Sequence, residues 1–139
     1  MYAGLSLDVP ASPSVTYYQD VDEVKDGTYI SVGVAHSFEN VFELDPDTPV
    51  GIDLSASLGW GNGDYNAGYW GTAPDGGKIG GEANDLVLSI GLPFELAGLS
   101  FTASASYITL VGDDIRKTDA YGAGRDDNIV AGIGFSAGF

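Results

Sequence analysis

Residues 128–139 constrain the fold more than any other part of the chain, because Ile129, Ala131, Ile133, Phe135, Ala137 and Phe139 alternate with Val130, Gly132, Gly134, Ser136 and Gly138. Side chains along a β-strand point alternately to opposite faces, so this segment predicts a strand that is apolar on one side and nearly bare on the other. A soluble antiparallel sheet usually carries charged or hydroxyl groups on its wet face. Barrel strands in a bilayer instead turn apolar residues to lipid and small or polar ones to the lumen.

Six earlier segments repeat the pattern. Their apolar faces read Ala3, Leu5, Leu7, Val9; Val15, Tyr17, Gln19, Val21; Ile30, Val32, Val34, His36, Phe38; Val50, Ile52, Leu54, Ala56, Leu58, Trp60; Leu86, Leu88, Ile90, Leu92, Phe94; and Leu99, Phe101, Ala103, Ala105, Tyr107. Each segment is close to the roughly 9–11 residues that cross a bilayer as a tilted strand. No Lys, Arg, Asp or Glu falls on these faces, where Lys or Arg at the midplane costs roughly 2–4 kcal/mol. Read back from the C-terminus, connections 112–127 and 61–84 are long, 95–98 and 10–13 are short, 39–49 is intermediate and 23–27 is brief. Short turns at one end and longer loops at the other are the barrel habit. Phe38, Phe94, Phe101 and Phe139 then fall near the short-turn end of the apolar face, with Trp60 and Tyr107 toward the long-loop end, as two interfacial girdles would.

Composition narrows the partners. The 139 residues fit one domain. With 20 acidic against 5 basic residues, a net charge of -15 argues against nucleic acid and places the charge away from anionic headgroups. The absence of cysteine removes disulfides, thiolate metal sites and Cys nucleophiles. No apolar run approaches the roughly 20 residues of a membrane helix, and residues 1–4 have neither the basic nor the apolar region of a secretory leader.

The polar faces hold Asp8, Asp20, Asp22, Asp53 and Asp85 with no Lys or Arg inside the strands. Unpaired carboxylates must stay wet, so these describe a hydrated lumen with acidic entrances: Asp8 and Asp53 at one mouth, Asp20, Asp22 and Asp85 at the other. Such entrances favour cations, although solvated strand-end Asp residues without selective role give the same pattern. Asp20, Asp22 and Asp26 offer oxygens to a hard cation, but their spacing departs from the calcium-loop pattern, so the segment reads as an acidic hairpin turn and no metal or cofactor is expected. Asp45, Asp47, Asp113, Asp114, Asp126 and Asp127 read the same way. His36, the single histidine, has no Ser beside it on its face, and Ser37 points away. An interfacial role therefore fits better than catalysis, and no enzymatic activity is expected. The run from Gly59 to Gly63 lacks the Lys of a phosphate loop and is expected to lead into a flexible loop with no helix after it.

The segments 5–10, 15–22, 36–39 and 57–66, together with a closing strand that ends on Phe139, resemble the C-terminal part of uncharacterised, porin-like bacterial outer-membrane β-barrel proteins. The terminal aromatic is similar to the assembly signal of such barrels. The resemblance spans the chain and implies an antiparallel up-and-down transmembrane β-barrel acting as a passive, cation-preferring pore or an envelope scaffold, with the lipid bilayer as partner. It carries no catalytic residues with it. Seven strands are an odd number for a barrel with both termini on one side, so further N-terminal strands of a barrel of eight or more, a homo-oligomer or another envelope chain are expected to close the sheet. Two alternatives use the same alternation: a self-assembling sheet with a dry apolar seam, and a soluble lipocalin-like carrier with the apolar face turned inward.

Overall fold

The computed structural model describes residues 1–118 and 125–137. It is a single antiparallel sheet of seven strands in chain order: β1 (Tyr2–Ser6), β2 (Ser14–Gln19), β3 (Thr28–Asp45), β4 (Thr48–Gly61), β5 (Glu82–Leu96), β6 (Leu99–Leu110) and β7 (Asp127–Ser136). One helix, α1 (Gly63–Trp70), follows β4, and a single 3-10 turn, Ile115–Lys117, precedes β7. Among the described residues β1 and β7 form opposite edges and do not pair, so the seven strands make an open sheet and not a closed barrel. No described helix is long and apolar enough to cross a membrane, which says nothing of strands.

The register keeps the predicted faces intact across the whole sheet. Leu5 pairs Val15, Val15 pairs Val32, Val32 pairs Leu58, and Leu58 pairs Leu86. Farther on, Leu88 pairs Tyr107, which pairs Ile129, and Phe94 pairs Phe101, which pairs Phe135. The polar face is equally consistent: Ser57 pairs Gly33, Ser55 pairs Ser89, and Ser89 pairs Ser106, whose hydroxyl stands 2.8 Å away. A slip of one residue would exchange the faces of a strand; none occurs along the middle of the sheet, and one-residue shifts lie near its ends, between Leu58 and Trp60 against β5 and between Glu43 and Asp45 against β4.

Several expected boundaries move. β1 stops at Ser6 and β2 at Gln19; Leu7 and Asp20 each donate one last backbone bond, to the Pro13 and Gly27 carbonyls, and Asp8, Val9, Val21 and Asp22 leave the ladder. Pro10 and Pro13 supply no N–H to a ladder, and the Asp20 carboxylate captures the N–H groups of Asp22 and Glu23 at 2.9 and 3.1 Å, bending the chain out of the sheet. β1 and β2 are therefore too short to cross a bilayer alone, while β3 to β7 are long enough.

The connection 39–49 is strand rather than loop. A bulge between Phe38 and Phe42, with Asn40 at φ 52°, lets β3 run on to Asp45. Only Pro46 and Asp47 remain as turn, held by the Asp45 carboxylate on the Asp47 N–H (3.0 Å) and the Thr48 hydroxyl (3.0 Å). All three connections at that end are thus compact. At the other end, 62–81 holds α1, and 111–126 holds the 3-10 turn. Asp127 is the first residue of β7 and lies opposite Thr109 on the apolar-face register, which places one carboxylate at the rim of that face.

The sheet is one layer thick. Mid-strand residues of its apolar face stay largely open, with Leu54 and Leu88 both 44% exposed and Ile133 70% exposed. The buried apolar side chains lie at the two ends: Val50 near the short turns, and Ile79, Ile115 and Ala73 in the long loops, backed by Trp70 and Leu110.

The β5–β6 turn is Ala97–Gly98, both at positive φ, 54° and 77°. This two-residue geometry suits Asn-Gly, and Ala is strained in it. Ala97→Asn is expected to stabilise the fold by about 1 kcal/mol, read as a higher denaturant midpoint with an unchanged slope.

Candidate functional site

The long-loop end of the polar face is where the chain builds a site. Register places Tyr2 opposite Tyr18, and Tyr18 opposite Tyr29, on that face. Their ring centroids are 5.9 Å apart in each pair. The row continues into α1, with Tyr29 to Tyr65 at 5.2 Å and Tyr65 to Tyr69 at 4.6 Å. A four-residue step puts Tyr65 and Tyr69 on one side of the helix, so α1 folds over the mouth of the polar face and extends the row.

Asn62 holds α1 there. Its Oδ1 caps the helix by accepting the Tyr65 N–H at 2.8 Å and also accepts the Thr28 N–H at 3.0 Å. Its Nδ2 donates to the Asp26 carbonyl at 2.9 Å. One side chain thereby ties together the helix start, the β2–β3 turn and the first residue of β3. Behind it, buried Asn66 donates to the carbonyls of Gly61 and Gly80 at 3.1 and 2.7 Å, and buried Asn84 accepts the Gly61 N–H at 3.2 Å. The expectation that no helix follows the glycine-rich run is overturned by α1. Its first turn is already capped by Asn62, and Lys78 reaches Asp64 at 2.6 Å instead of a phosphate.

Two acidic groups of this mouth, Asp85 and Asp20, are bound to tyrosines. The Tyr29 hydroxyl donates to Asp85 Oδ1 at 2.8 Å and crosses the face of Gly59, where a Cβ would collide with it. The Tyr69 hydroxyl donates to Asp20 Oδ2 at 2.6 Å. That bond, followed by the backbone N–H of Asp22, holds the Asp20 carboxyl below its ordinary value. The same bond raises the Tyr69 phenol to about 12. The tyrosines, Asp20, Asp85, Val21 and Val87 line a recess of about 700 Å³. No Lys or Arg lines it.

The remaining candidate residues are dispersed. Asp53 lies on the polar face opposite Ser37 and Gly91, and lines a second recess of about 650 Å³ with Glu39, Asp47 and Glu95 at the short-turn end. Asp8 and Asp22 are exposed in turns, outside both recesses. Asp20, Asp22 and Asp26 are not assembled into a ligand set. Asp20 spends its oxygens on Tyr69 and two N–H groups, and among the described residues no cluster of three or more His, Asp or Glu stands ready for a metal. On the apolar face, Phe94 stacks on Phe101 at 5.3 Å, Phe101 meets Phe135 at 6.1 Å, and His36 lies edge-on to Phe38 at 4.5 Å. Trp60 opposes Ile30, and Tyr107 opposes Ile129 at the far end. Phe139 lies outside the described residues. Sequence reasoning missed the tyrosine row, because its members come from β1, β2, β3 and α1. The visible signal was Asn62 ahead of Tyr65 and Tyr69, a cap before a helical step.

Asn62→Ala is expected to destabilise the docked helix by about 1–2 kcal/mol, seen as faster amide exchange across 62–70 with the β5–β6 ladder unaffected. The Asp20–Tyr69 tie has a defined pH window. Asp20 is depressed, so its contribution is complete above its ordinary value of 3.8 and is lost as pH falls through the lower folded value. Tyr69 is raised from 10.0, so its contribution is complete below 10.0 and is lost as pH rises through about 12. Phenolate absorbance should show a late step near pH 12 that Tyr69→Phe removes.

Searched against known protein families, curated proteins and solved structures, the chain matches none.

Proposed function

We propose that this chain forms part of the wall of an outer-membrane antiparallel β-barrel in a Gram-negative envelope, serving as a passive, cation-preferring pore or an envelope scaffold and not as an enzyme. The observation that carries this reading is the continuous apolar face across all six strand pairings, with no second layer among the described residues covering it. At a strand spacing of about 4.8 Å and a same-face repeat of about 6.8 Å, that face covers on the order of 1,000 Å². A soluble monomer rarely exposes a contiguous patch beyond a few hundred Å².

The dimensions agree with a bilayer. From Ile52 to Trp60 the apolar face of β4 extends about 27 Å. Tilted by 35–45°, this is about 20 Å in height, near the roughly 25 Å apolar band of such barrels. The Phe38, Phe94, Phe101 and Phe135 level bounds it at the short-turn end, and Trp60 and Tyr107 at the other. Acidic recesses at both ends of the polar face, without a basic lining residue, favour cations. The open edges of β1 and β7 require closure by further strands, by other copies or by another envelope chain. Those same edges favour a second reading, a self-assembling sheet whose copies pair edge to edge and seal their apolar faces together.

Two substitutions on one strand separate the readings. In lipid, Leu88→Arg on the apolar face should cost roughly 2–4 kcal/mol, while neighbouring Ser89→Arg on the polar face should cost far less. The measurement is the unfolding midpoint in vesicles, with heat-dependent mobility on a cold detergent gel as the fold assay. A chain that stays in the aqueous phase, or pellets as detergent-resistant fibres, would replace the membrane reading with the self-assembling sheet.

A further inference from the structure

The rings and the carboxylates that line the tyrosine recess favour one class of ligand. The Tyr69 and Tyr29 hydroxyls are committed to Asp20 and Asp85. Both Asp20 oxygens are occupied, one by Tyr69 and the other by two backbone N–H groups. The Gln19 amide donates to the carbonyls of Asp20 and Gly27 and accepts from Tyr17 and Thr28. What remains toward the recess is a series of tyrosine rings, the apolar wall of Val21 and Val87, the hydroxyls of Tyr2, Tyr18, Ser31 and Ser57, the Met1 ammonium, which donates to the Gln19 carbonyl at 2.8 Å, and one carboxylate oxygen, Asp85 Oδ2, with no hydrogen-bond partner among the described residues.

Each of the main ligand classes meets this inventory differently. An anion meets two carboxylates and no Lys or Arg. A neutral sugar would use the free hydroxyls of Tyr2, Tyr18, Ser31 and Ser57 but would leave the charge of Asp85 without a counter-charge. A small inorganic cation prefers several oxygens around it and gains little from valines and ring faces. A cation with an apolar body uses the rings, the valine wall and the carboxylate together, since ring faces attract positive charge through their quadrupoles and the carboxylate supplies a full counter-charge. The Tyr29 hydroxyl, donating to Asp85, leaves its own ring richer in electrons, which strengthens that attraction.

The geometry points to a binding site for a small organic cation, an alkylated ammonium or related group, seated against the Tyr18–Tyr29–Tyr65 row with its charge on Asp85. The inference goes beyond the pore-or-scaffold reading and does not rest on it, because the described parts of this one chain form the recess.

The test is calorimetric titration of the whole chain, folded in a non-ionic polyoxyethylene detergent, with choline and with its neutral isostere 3,3-dimethylbutan-1-ol. Choline should bind saturably and the isostere at least tenfold more weakly. Asp85→Asn should weaken choline at least tenfold with circular dichroism unchanged. Tyr18→Leu makes no demand on the Asp85 hydrogen bond and should weaken choline at least threefold, which keeps the test decisive if the first variant misfolds. Equal binding of the isostere would reduce the recess to an apolar slot. Saturable maltose binding without choline binding would make it a sugar site, and displacement of choline by equimolar sodium would make it an ordinary counter-ion site. Each of these, like the absence of any saturation by choline, would overturn the proposal.

Discussion

A single layer of antiparallel strands with one continuous apolar face is the constraint on which the rest of this structure depends. Two-layer proteins bury such a face against a second sheet or a set of helices. The described residues provide neither, and the buried apolar side chains among them lie at the margins, at Val50 and around Ile79 and Ile115. The ladder can hold the strands in register, but it cannot shield Leu54, Leu88 or Ile133 from water. An apolar medium or another polypeptide must do so. The free edges of β1 and β7 impose the same requirement in the plane of the sheet, where unpaired backbone groups need either water or a neighbouring strand.

The two ends of the sheet are built on different principles. At one end, Pro46–Asp47 and Ala97–Gly98 return the chain with little more than turn chemistry. At the other, long connections fold on themselves. Ile79 and Ile115, drawn from separate loops, share a small core, and the Glu82 carboxylate accepts the Ile115 N–H at 3.1 Å. All 5 basic residues reside at this end, at positions 25, 78, 116, 117 and 125. Lys78 and Arg116 pair with Asp64 and Asp126, and no Lys or Arg lines the tyrosine recess. These exposed pairs contribute little energy. They matter more for where they leave negative charge uncompensated.

The parts of the fold legible in the sequence were those carried by period two. The face assignments of Val32, Leu58, Leu88, Tyr107 and Ile129 could be read from alternation because a strand admits only two orientations. The reading failed where a bulge interrupts the pairing, four steps of β3 from Phe38 to Phe42 lying against two of β4 from Ile52 to Val50. Glu39, Asn40 and Val41 resemble a loop beside the Asp-Pro and Thr-Pro pairs, yet the bulge merely resets the alternation, and Phe42 resumes opposite Val50. It failed again at β1 and β2, where Leu7, Val9 and Val21 continue the alternation after the ladder has ended, because an Asx turn and two prolines override a pattern that carries no energy by itself. α1 was missed because a two-turn helix without an amphipathic stripe has no periodic signature, only the cap at Asn62.

By itself the sequence determined the class of structure, the number of strands, the two faces and the distribution of charge, since each follows from local alternation, turn residues and composition. Tertiary structure alone decided that the described chain forms an open sheet, that Asp20 and Asp85 become hydrogen-bonded partners of Tyr69 and Tyr29, and that five tyrosines from four elements form one row. The physical reason is that a local pattern specifies which way a side chain faces. Only the register between strands, and the docking of α1 through Asn62 and Asn66, specifies which side chains distant in the chain come to share a site.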